Sequence, residues 1–78
     1  MTRFDLKSKI FCYEVSTVEL PEGYSQSELG SYETMIMGYK GEWLDFQERS
    51  NTIEQALADH IKALAFCVKQ YNMEMKIK

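Results

Sequence analysis

Apolar and polar residues alternate over residues 3–18, and this alternation predicts a β-strand. Phe4 and Leu6 alternate with charged neighbours, and after Ser8-Lys9 the apolar residues move to the opposite parity. A shift of one residue within a continuous strand indicates a β-bulge or bend. We therefore expect one long strand with a bulge near Ser8-Lys9, and we expect its apolar run, residues 10–15, to be the most buried part of a sheet.

A β-hairpin is predicted in the middle of the chain. Residues 32–39 are rich in Tyr, Thr, Met and Ile, which favour strands, and residues 42–47 form a second short run of this type. Lys40-Gly41 lies between them, and a two-residue connection that contains glycine is typical of a hairpin turn.

Residues 19–30, which precede this hairpin, are predicted to be largely irregular. Pro21 and Gly23 supply residues that turns prefer. Within the segment, residues 25–28 match the capping-box pattern, so a single helical turn that Gly30 closes is also compatible with the sequence.

One amphipathic helix is predicted from about Thr52 to Gln70, with Asn51 or Thr52 as its N-cap. Large apolar residues recur on one side of this helix, and we expect that side to face the core: Ile53, Leu57, Ile61, Leu64, Val68 and Tyr71. Asn72 is predicted to end the helix in a left-handed conformation. Residues 73–77 then alternate between apolar and polar, which predicts a short final strand.

These elements predict a single small α+β domain over residues 1–78, with the order β-β-β-α-β. An antiparallel sheet is expected to carry the amphipathic helix on one face. A chain of 78 residues is too short for two domains. It buries only about 60% of its unfolded surface, so its core is small.

The charge of the chain is unevenly distributed along the sequence. The formal net charge is −3, but residues 14–48 carry eight acids against Lys40 alone, and the segments on either side are each positive by two. Scattered Lys and Arg argue against direct nucleic-acid binding. No run approaches the roughly 20 apolar residues of a membrane-spanning helix. We therefore expect a cytoplasmic protein that does not bind membranes.

Candidate catalytic residues are few. Cys12 and Cys67 both lie among apolar neighbours and are expected to be buried free thiols. His60, the only histidine, is expected at the edge of the core or hydrogen-bonded within it. Glu14, in the strand expected to be most buried, is expected to pair with a Lys or Arg. Because no catalytic or cofactor-binding motif is present, we expect neither enzyme activity nor a bound metal or cofactor.

Aromatic residues interleave with acids between residues 14 and 48, and this composition suits a protein partner with a basic surface. Trp43 is predicted to be an anchor of that contact, although a place in the core or at the sheet edge is an alternative. The acids would otherwise be a solvated surface. The residues predicted to contact a partner are Glu19, Glu22, Tyr24, Glu28, Tyr32, Glu42, Trp43, Glu48 and Phe66.

Phe66 stands on the polar side of the predicted helix. Three environments are compatible with an aromatic ring there: contact with a partner or a second copy of the chain, cover by residues 19–30, or simple exposure.

Residues 50–57, Ser-Asn-Thr-Ile-Glu-Gln-Ala-Leu, resemble the start of the helix in HicB-like antitoxins. That family commonly shows a small polar cap followed by Thr-x-Glu-Glu-Ala-Leu on a β-β-β-α-β domain. The resemblance covers residues 43–68, and the chain lacks the family's Pro-Gly-Cys turn and its DNA-binding segment. It implies a small domain that binds and occludes a protein partner, and it assigns no functional residue here.

From these features we expect a non-enzymatic inhibitor that covers a basic or nucleic-acid-handling protein. It would be antitoxin-like, or a phage-encoded anti-defence protein of the anti-CRISPR kind. The alternative is a homodimeric structural or accessory protein, joined through Phe66 or an exposed strand edge. A small-molecule pocket between helix and sheet is less favoured, because a core of this size has little spare volume.

Overall fold

The computed structural model describes residues 4–20 and 31–76. They form a four-stranded antiparallel sheet in the order β1-β2-β3-β4, with one helix on one face. The predicted α+β class is therefore confirmed, but the predicted order β-β-β-α-β is wrong, because the helix follows all four strands. The elements are β1 Asp5–Ile10, β2 Tyr13–Glu19, β3 Tyr32–Met37, β4 Trp43–Ser50 and α1 Ile53–Lys76.

The single long strand predicted at the start of the chain is two strands. β1 and β2 are joined by the two-residue turn Phe11-Cys12, and Ile10 pairs with Tyr13 across it. The chain reverses at this turn, and the register from Asp5 to Ile10 is continuous, so the predicted bulge at Ser8-Lys9 is wrong. Phe11 has a φ of 55°, a conformation that Gly and Asn adopt far more often than Phe. The residue types at positions 11 and 12 therefore did not indicate a turn.

The predicted hairpin between β3 and β4 is confirmed. Its turn contains Gly41, whose φ of +82° is a value that glycine adopts without strain. The register is irregular, since Met35 pairs with Gln47 whereas Met37 pairs with Trp43. β4 therefore has two more residues than β3 over this stretch, which is the signature of a bulge.

The side of α1 that packs on the sheet is not the side predicted. Its buried residues are small or polar: Ala56, Asp59, His60, Ala63 and Cys67. Most of the predicted core face is exposed, including Ile53, Leu57, Val68 and above all Ile61, which is 66% exposed, while Leu64 and Tyr71 are half-buried.

The side chains of the sheet account for the small residues on the facing side of α1. The sheet side of the core is formed by Tyr13, Val15 and Ile36, with Leu44 and Phe46 packed beside them. α1 packs against these side chains mainly through the small residues Ala56, Ala63 and Cys67.

α1 continues through Asn72 to Lys76, so neither the predicted helix end nor the predicted final strand is correct. Two contacts stabilise the last turns. Tyr13 Oη donates to Glu74 Oε1 at 2.8 Å, and Gln70 Nε2 donates to Glu74 Oε2 at 3.1 Å. Ile77 lies outside the described residues.

The hairpin connections define two ends of the sheet. The β1–β2 turn, the β3–β4 turn and the last turns of α1 lie together at one end, which we call the hairpin end. Phe4, Glu19, Tyr32 and Ser50 lie at the opposite end, called the far end, where Leu20 N donates to Ser31 O at 2.8 Å. The helical turn considered for residues 25–30 lies outside the described residues. The described part of the chain has no helix with the length and hydrophobicity that a membrane crossing needs.

Candidate functional site

Two exposed aromatic rings stand beside carboxylates at the hairpin end. Tyr39 is 67% exposed and Trp43 is 54% exposed, and Glu42 and Asp45 are exposed next to them. Among residues 4–20 and 31–76, neither carboxylate forms a salt bridge with a base. We call Tyr39, Glu42, Trp43 and Asp45 the hairpin surface.

The turn between β3 and β4 holds the hairpin surface in place. Gly38 N donates to Glu42 O at 2.7 Å, and Gly41 N donates to Gly38 O at 3.0 Å. Glu42 Oε1 accepts from Lys40 N at 3.0 Å, and the carboxylate lies close over Gly38. Part of the hydrogen-bonding capacity of Glu42 is thus already used within the turn.

Trp43 begins a row of side chains that crosses the open face of the sheet, the face without the helix. The strand register places Trp43 beside Met37, Met37 beside Glu14, and Glu14 beside Lys9. Glu14 was predicted to pair with a Lys or Arg, and the register places Lys9 directly opposite it, but among the described residues no salt bridge joins the two. This row connects the hairpin surface, at Trp43 in β4, with Glu14 in β2 and Lys9 in β1.

A cavity of about 240 Å³ opens beside Met37, Glu14 and Lys9 of this row. Its lining combines rings, a thiol and two charged groups: Lys9, Phe11, Cys12, Tyr13, Glu14, Met37 and Gly38. This volume is below the roughly 300 Å³ at which small-molecule sites begin, and it is large enough for a side chain of a partner.

Other residues predicted to contact a partner lie at the far end. Glu19 Oε1 accepts from Phe4 N at 3.1 Å, and the Tyr32 ring packs edge-on against Phe4 with centroids 6.0 Å apart. β4 separates this end from Trp43 by seven residues, which is about 23 Å in a strand. The structure therefore does not join Glu19 and Tyr32 to the hairpin surface.

Two more of the predicted contact residues are engaged within the fold. Glu48 Oε2 lies 3.0 Å from Lys62 Nζ, and the Phe66 ring packs on Phe46 with centroids 5.2 Å apart. Phe66 is half-buried, and β4 supplies cover for it through Phe46. The alternative of cover by residues 19–30 falls largely outside the described residues. Glu22, Tyr24 and Glu28 lie outside the described residues.

The excess of acid in residues 14–48 is partly neutralised by bases from other parts of the chain. Arg49 Nε lies 3.4 Å from Glu33 Oε2, and Gln47 also donates to this carboxylate. Lys62 neutralises Glu48 in the same way. Linear charge counting overestimates the acidic surface, because strand pairing and helix packing bring bases from the positive segments against these acids.

His60 is the centre of a buried polar network. Its Nδ1 lies 2.7 Å from Thr17 Oγ1, its Nε2 lies 2.9 Å from Ser8 Oγ, and Thr17 Oγ1 lies 2.8 Å from Thr34 Oγ1. Burial lowers the pKa of His60, so the ring is neutral at pH 7, with one nitrogen donating and the other accepting. His60 is therefore hydrogen-bonded in the core, one of the two environments predicted for it.

The distance between Ser8 Oγ and His60 Nε2 is the one expected of a nucleophile and its general base. In catalytic triads a carboxylate contacts the other nitrogen of the histidine, whereas here that group is the hydroxyl of Thr17. Thr17 is uncharged and cannot stabilise an imidazolium as a carboxylate does. Neither Ser8 nor His60 lines the 240 Å³ cavity. This geometry is typical of a structural network that links α1 to three strands.

The two cysteines have different environments, and the prediction that both are buried is wrong for Cys12. Cys12 lies in the β1–β2 turn and is exposed, whereas Cys67 is fully buried against the sheet. Burial raises the pKa of the Cys67 thiol to about 11. Burial, and next the hydrogen bond to Glu74, also raise the pKa of Tyr13.

Sequence reasoning missed part of the hairpin surface and the cavity. Tyr39 and Asp45 flank the predicted turn and Trp43, so their position in the sequence was the available signal. Phe11 and Cys12 carried no such signal, because the turn that exposes them was not predicted. Across residues 4–20 and 31–76, no three His, Cys, Asp or Glu side chains come together as a metal site.

Comparison of the chain with protein-family models, with curated proteins and with solved structures gave no match. The resemblance to HicB-like antitoxins therefore stays a prediction from residues 43–68.

Proposed function

We propose that this protein is a non-enzymatic binding module that inhibits a basic, nucleic-acid-handling protein by covering part of its surface. The observation that supports this function best is the exposure of Trp43 and Tyr39 beside Glu42 and Asp45. Aromatic rings with nearby carboxylates suit partner arginines and lysines, which stack on the rings and pair with the acids. The inhibitor is antitoxin-like or of the phage anti-defence kind.

The contact surface in this proposal is narrower than the sequence indicated. Trp43 is the central anchor, because it is large, exposed and placed next to a hydrogen-bonded turn, and anchors of this type contribute much of the binding energy. Asp45 supplies charge without a base of its own among the described residues. The 240 Å³ cavity beside Met37 accepts one side chain of the partner.

The test is affinity capture from the native host with variants of the protein as bait. Trp43→Ala and Asp45→Lys alter the hairpin surface, and Glu54→Lys is the matched control, because Glu54 is an exposed acid in the first turn of α1. Quantitative mass spectrometry is expected to find a basic protein that the wild type and Glu54→Lys capture and that the hairpin variants lose. Identical capture by all four baits would contradict the proposed surface.

Inhibition itself is tested on the captured partner. A stoichiometric amount of the wild-type protein is expected to suppress the partner's activity on nucleic acid, and Trp43→Ala is expected to require a higher concentration for the same effect. Tight binding without any loss of partner activity would rule out the inhibitory function and leave only the binding module.

A further inference from the structure

One side of α1 carries a row of large apolar side chains that the sheet does not cover. Ile61 is 66% exposed and Val68 is 39% exposed, and Leu57 and Met75 are also exposed. We call this row the seam; in order along the helix it consists of Leu57, Ile61, Leu64, Val68, Tyr71 and Met75. Leu64 and Tyr71 are half-buried at its inner margin.

The contacts of α1 show which way the seam faces. His60 reaches Ser8 in β1, whereas Phe66 reaches Phe46 in β4. At 100° per residue the seam is centred about 60° beyond His60, on the side away from Phe66. It therefore lies on the β1 side of α1, about 100° around the helix from the sheet-facing side that Ala63 and Cys67 mark, and a second helix can lie beside α1 there.

The spacing of the seam is that of a coiled coil. Its residues are separated by four, three, four, three and four positions, which is the heptad spacing of a and d residues. Ile61 and Val68 then occupy a positions, and Leu57 and Leu64 occupy d positions.

We propose that the seam is a dimer interface, in which a second copy of this chain packs its own α1 antiparallel against it. The spacing reads the same in both directions along the helix, so it is compatible with a two-fold axis perpendicular to α1. With the axis near residue 66, Leu57 meets Met75 of the second copy, Ile61 meets Tyr71, and Leu64 meets Val68. Every large side chain of the seam then has a counterpart.

The charges near the seam also favour self-association. Around a two-fold axis, residues close to the axis meet their own copies, so any charge there would repel itself. The exposed residues along the outer margin of the seam are uncharged: Ala58, Ala65 and Asn72. Lys62 and Lys69 lie one position further round the helix, away from the seam. Between residues 57 and 75 this margin offers no charge to a basic or acidic partner; Glu54, which precedes the seam, is exposed in line with Asn72.

The extent of the seam sets the strength expected of the dimer. It runs over about 27 Å of helix, at 1.5 Å per residue. Specific interfaces bury about 1,600 Å² in total and weak ones less than 1,200 Å², and one pair of helices of this length belongs to the smaller class. We therefore expect a weak dimer that dissociates on dilution.

Analytical ultracentrifugation over two orders of magnitude in protein concentration tests the proposal. Ile61→Lys and Val68→Lys each place a charge in the seam, and Met73→Lys is the matched control, because Met73 is exposed on the opposite side of α1. The wild type and the control are expected to form dimers as concentration rises, while both seam variants remain monomers with unchanged circular dichroism. A wild type that is monomeric at every concentration, or seam variants that still dimerise, would overturn the proposal.

Disulfide cross-linking tests the antiparallel orientation in a Cys12→Ser background, which removes the exposed thiol. Ala65→Cys lies beside the proposed axis and is expected to form a disulfide-linked dimer under mild oxidation. Leu57→Cys lies far from its own copy in an antiparallel pair and is expected to stay unlinked. Efficient linking through Leu57→Cys and none through Ala65→Cys would indicate parallel helices and overturn this arrangement.

Discussion

His60 Nδ1 and Thr17 Oγ1 lie 2.7 Å apart in the fully buried layer between α1 and the sheet. This contact connects α1 to β2, and through Thr34 and Ser8 the same network reaches β3 and β1. The centre of this small protein is therefore held by directional hydrogen bonds as well as by apolar packing. Such a network specifies how the helix sits on the sheet, because a shifted helix would leave buried polar groups unpaired.

The lowered pKa of His60 predicts that the protein loses stability in mildly acidic solution. The unfolded chain binds a proton at His60 near its ordinary pKa of 6.5, whereas the folded protein resists protonation. The stabilisation is therefore present above pH 6.5 and is lost as pH falls below it, with a slope of at most about 1.4 kcal/mol per pH unit. Urea unfolding of the wild type between pH 8 and pH 5 measures this effect.

His60→Gln provides the control for this titration. Glutamine keeps one donor and one acceptor but does not titrate, so the free energy of unfolding of this variant should change less than that of the wild type over the same pH range. Parallel pH profiles for the two proteins would show that His60 is not the titrating group.

Thr17→Val is expected to destabilise the fold although it conserves the shape of the side chain. It removes the hydroxyl that contacts both His60 and Thr34, and a buried polar group left without a partner costs about 1–3 kcal/mol. Thr34→Val should cost less, because His60 keeps its contact with Thr17. Equilibrium denaturation of the two variants gives the comparison, and equal losses would argue against Thr17 as the central member of the network.

The strands and the helix of this fold were largely predictable, because each depends on local periodicity. The alternation in residues 4–18 and the glycine turn at Lys40-Gly41 correspond to real elements. The turn at Phe11-Cys12 was not predictable, because its conformation is imposed on a residue type that rarely adopts it. The helical pattern of α1 was clear, and its final turns were missed because residues 72–76 alternate like a strand.

The orientation of α1 could not be derived from hydrophobicity alone. The periodic row from Ile53 to Val68 is the most apolar side of the helix, yet Ala56 and Ala63 face the sheet. The helix face that packs on the sheet is made mainly of small residues and the sheet supplies the larger side chains, a complementarity that involves both layers. An amphipathic pattern shows that a helix has an apolar side. That side can pack either on the core of the domain or on a partner outside it.

The candidate site was predictable only in part, for a similar reason. Trp43 and Glu42 follow a turn that the sequence indicates, and turns lie at the surface. Glu48 and Glu33 could not be separated from the hairpin acids, because their bases, Lys62 and Arg49, come from other elements. Ion pairs between residues that are distant in the sequence can be identified only when the strand register and the helix packing are known.

At Phe11, substitution by glycine is expected to destabilise the fold less than substitution by alanine, which is the reverse of the usual order. Its φ of 55° costs a residue with a side chain about 1–2 kcal/mol, and its ring stacks on Tyr71 with centroids 4.1 Å apart. Phe11→Ala loses the stacking and keeps the backbone cost, whereas Phe11→Gly loses the stacking and removes that cost. The glycine variant should therefore melt at the higher temperature of the two, and the opposite order would show that the turn is not strained.

Ser50→Ala is expected to leave the stability unchanged or to raise it by up to about 1 kcal/mol. Ser50 Oγ is buried and has no hydrogen-bond partner among the described residues, so the hydroxyl carries a desolvation cost without a compensating bond. Thermal unfolding of Ser50→Ala beside Thr17→Val compares a buried hydroxyl without a partner with one that has two. A large loss in Ser50→Ala would reveal a contact of this hydroxyl in solution.

The two cysteines are expected to differ in their reaction with a thiol reagent. Cys12 is exposed and should react rapidly in the folded protein, while Cys67 is fully buried with a pKa of about 11 and should react only when the protein unfolds. Titration with a chromogenic disulfide should therefore count one thiol in buffer and two in denaturant. In Cys12→Ser the fast reaction should disappear, and the rate of the remaining one then reports how often α1 separates from the sheet. A fast reaction that persists in Cys12→Ser would mean that this separation is frequent and that the helix is only loosely packed.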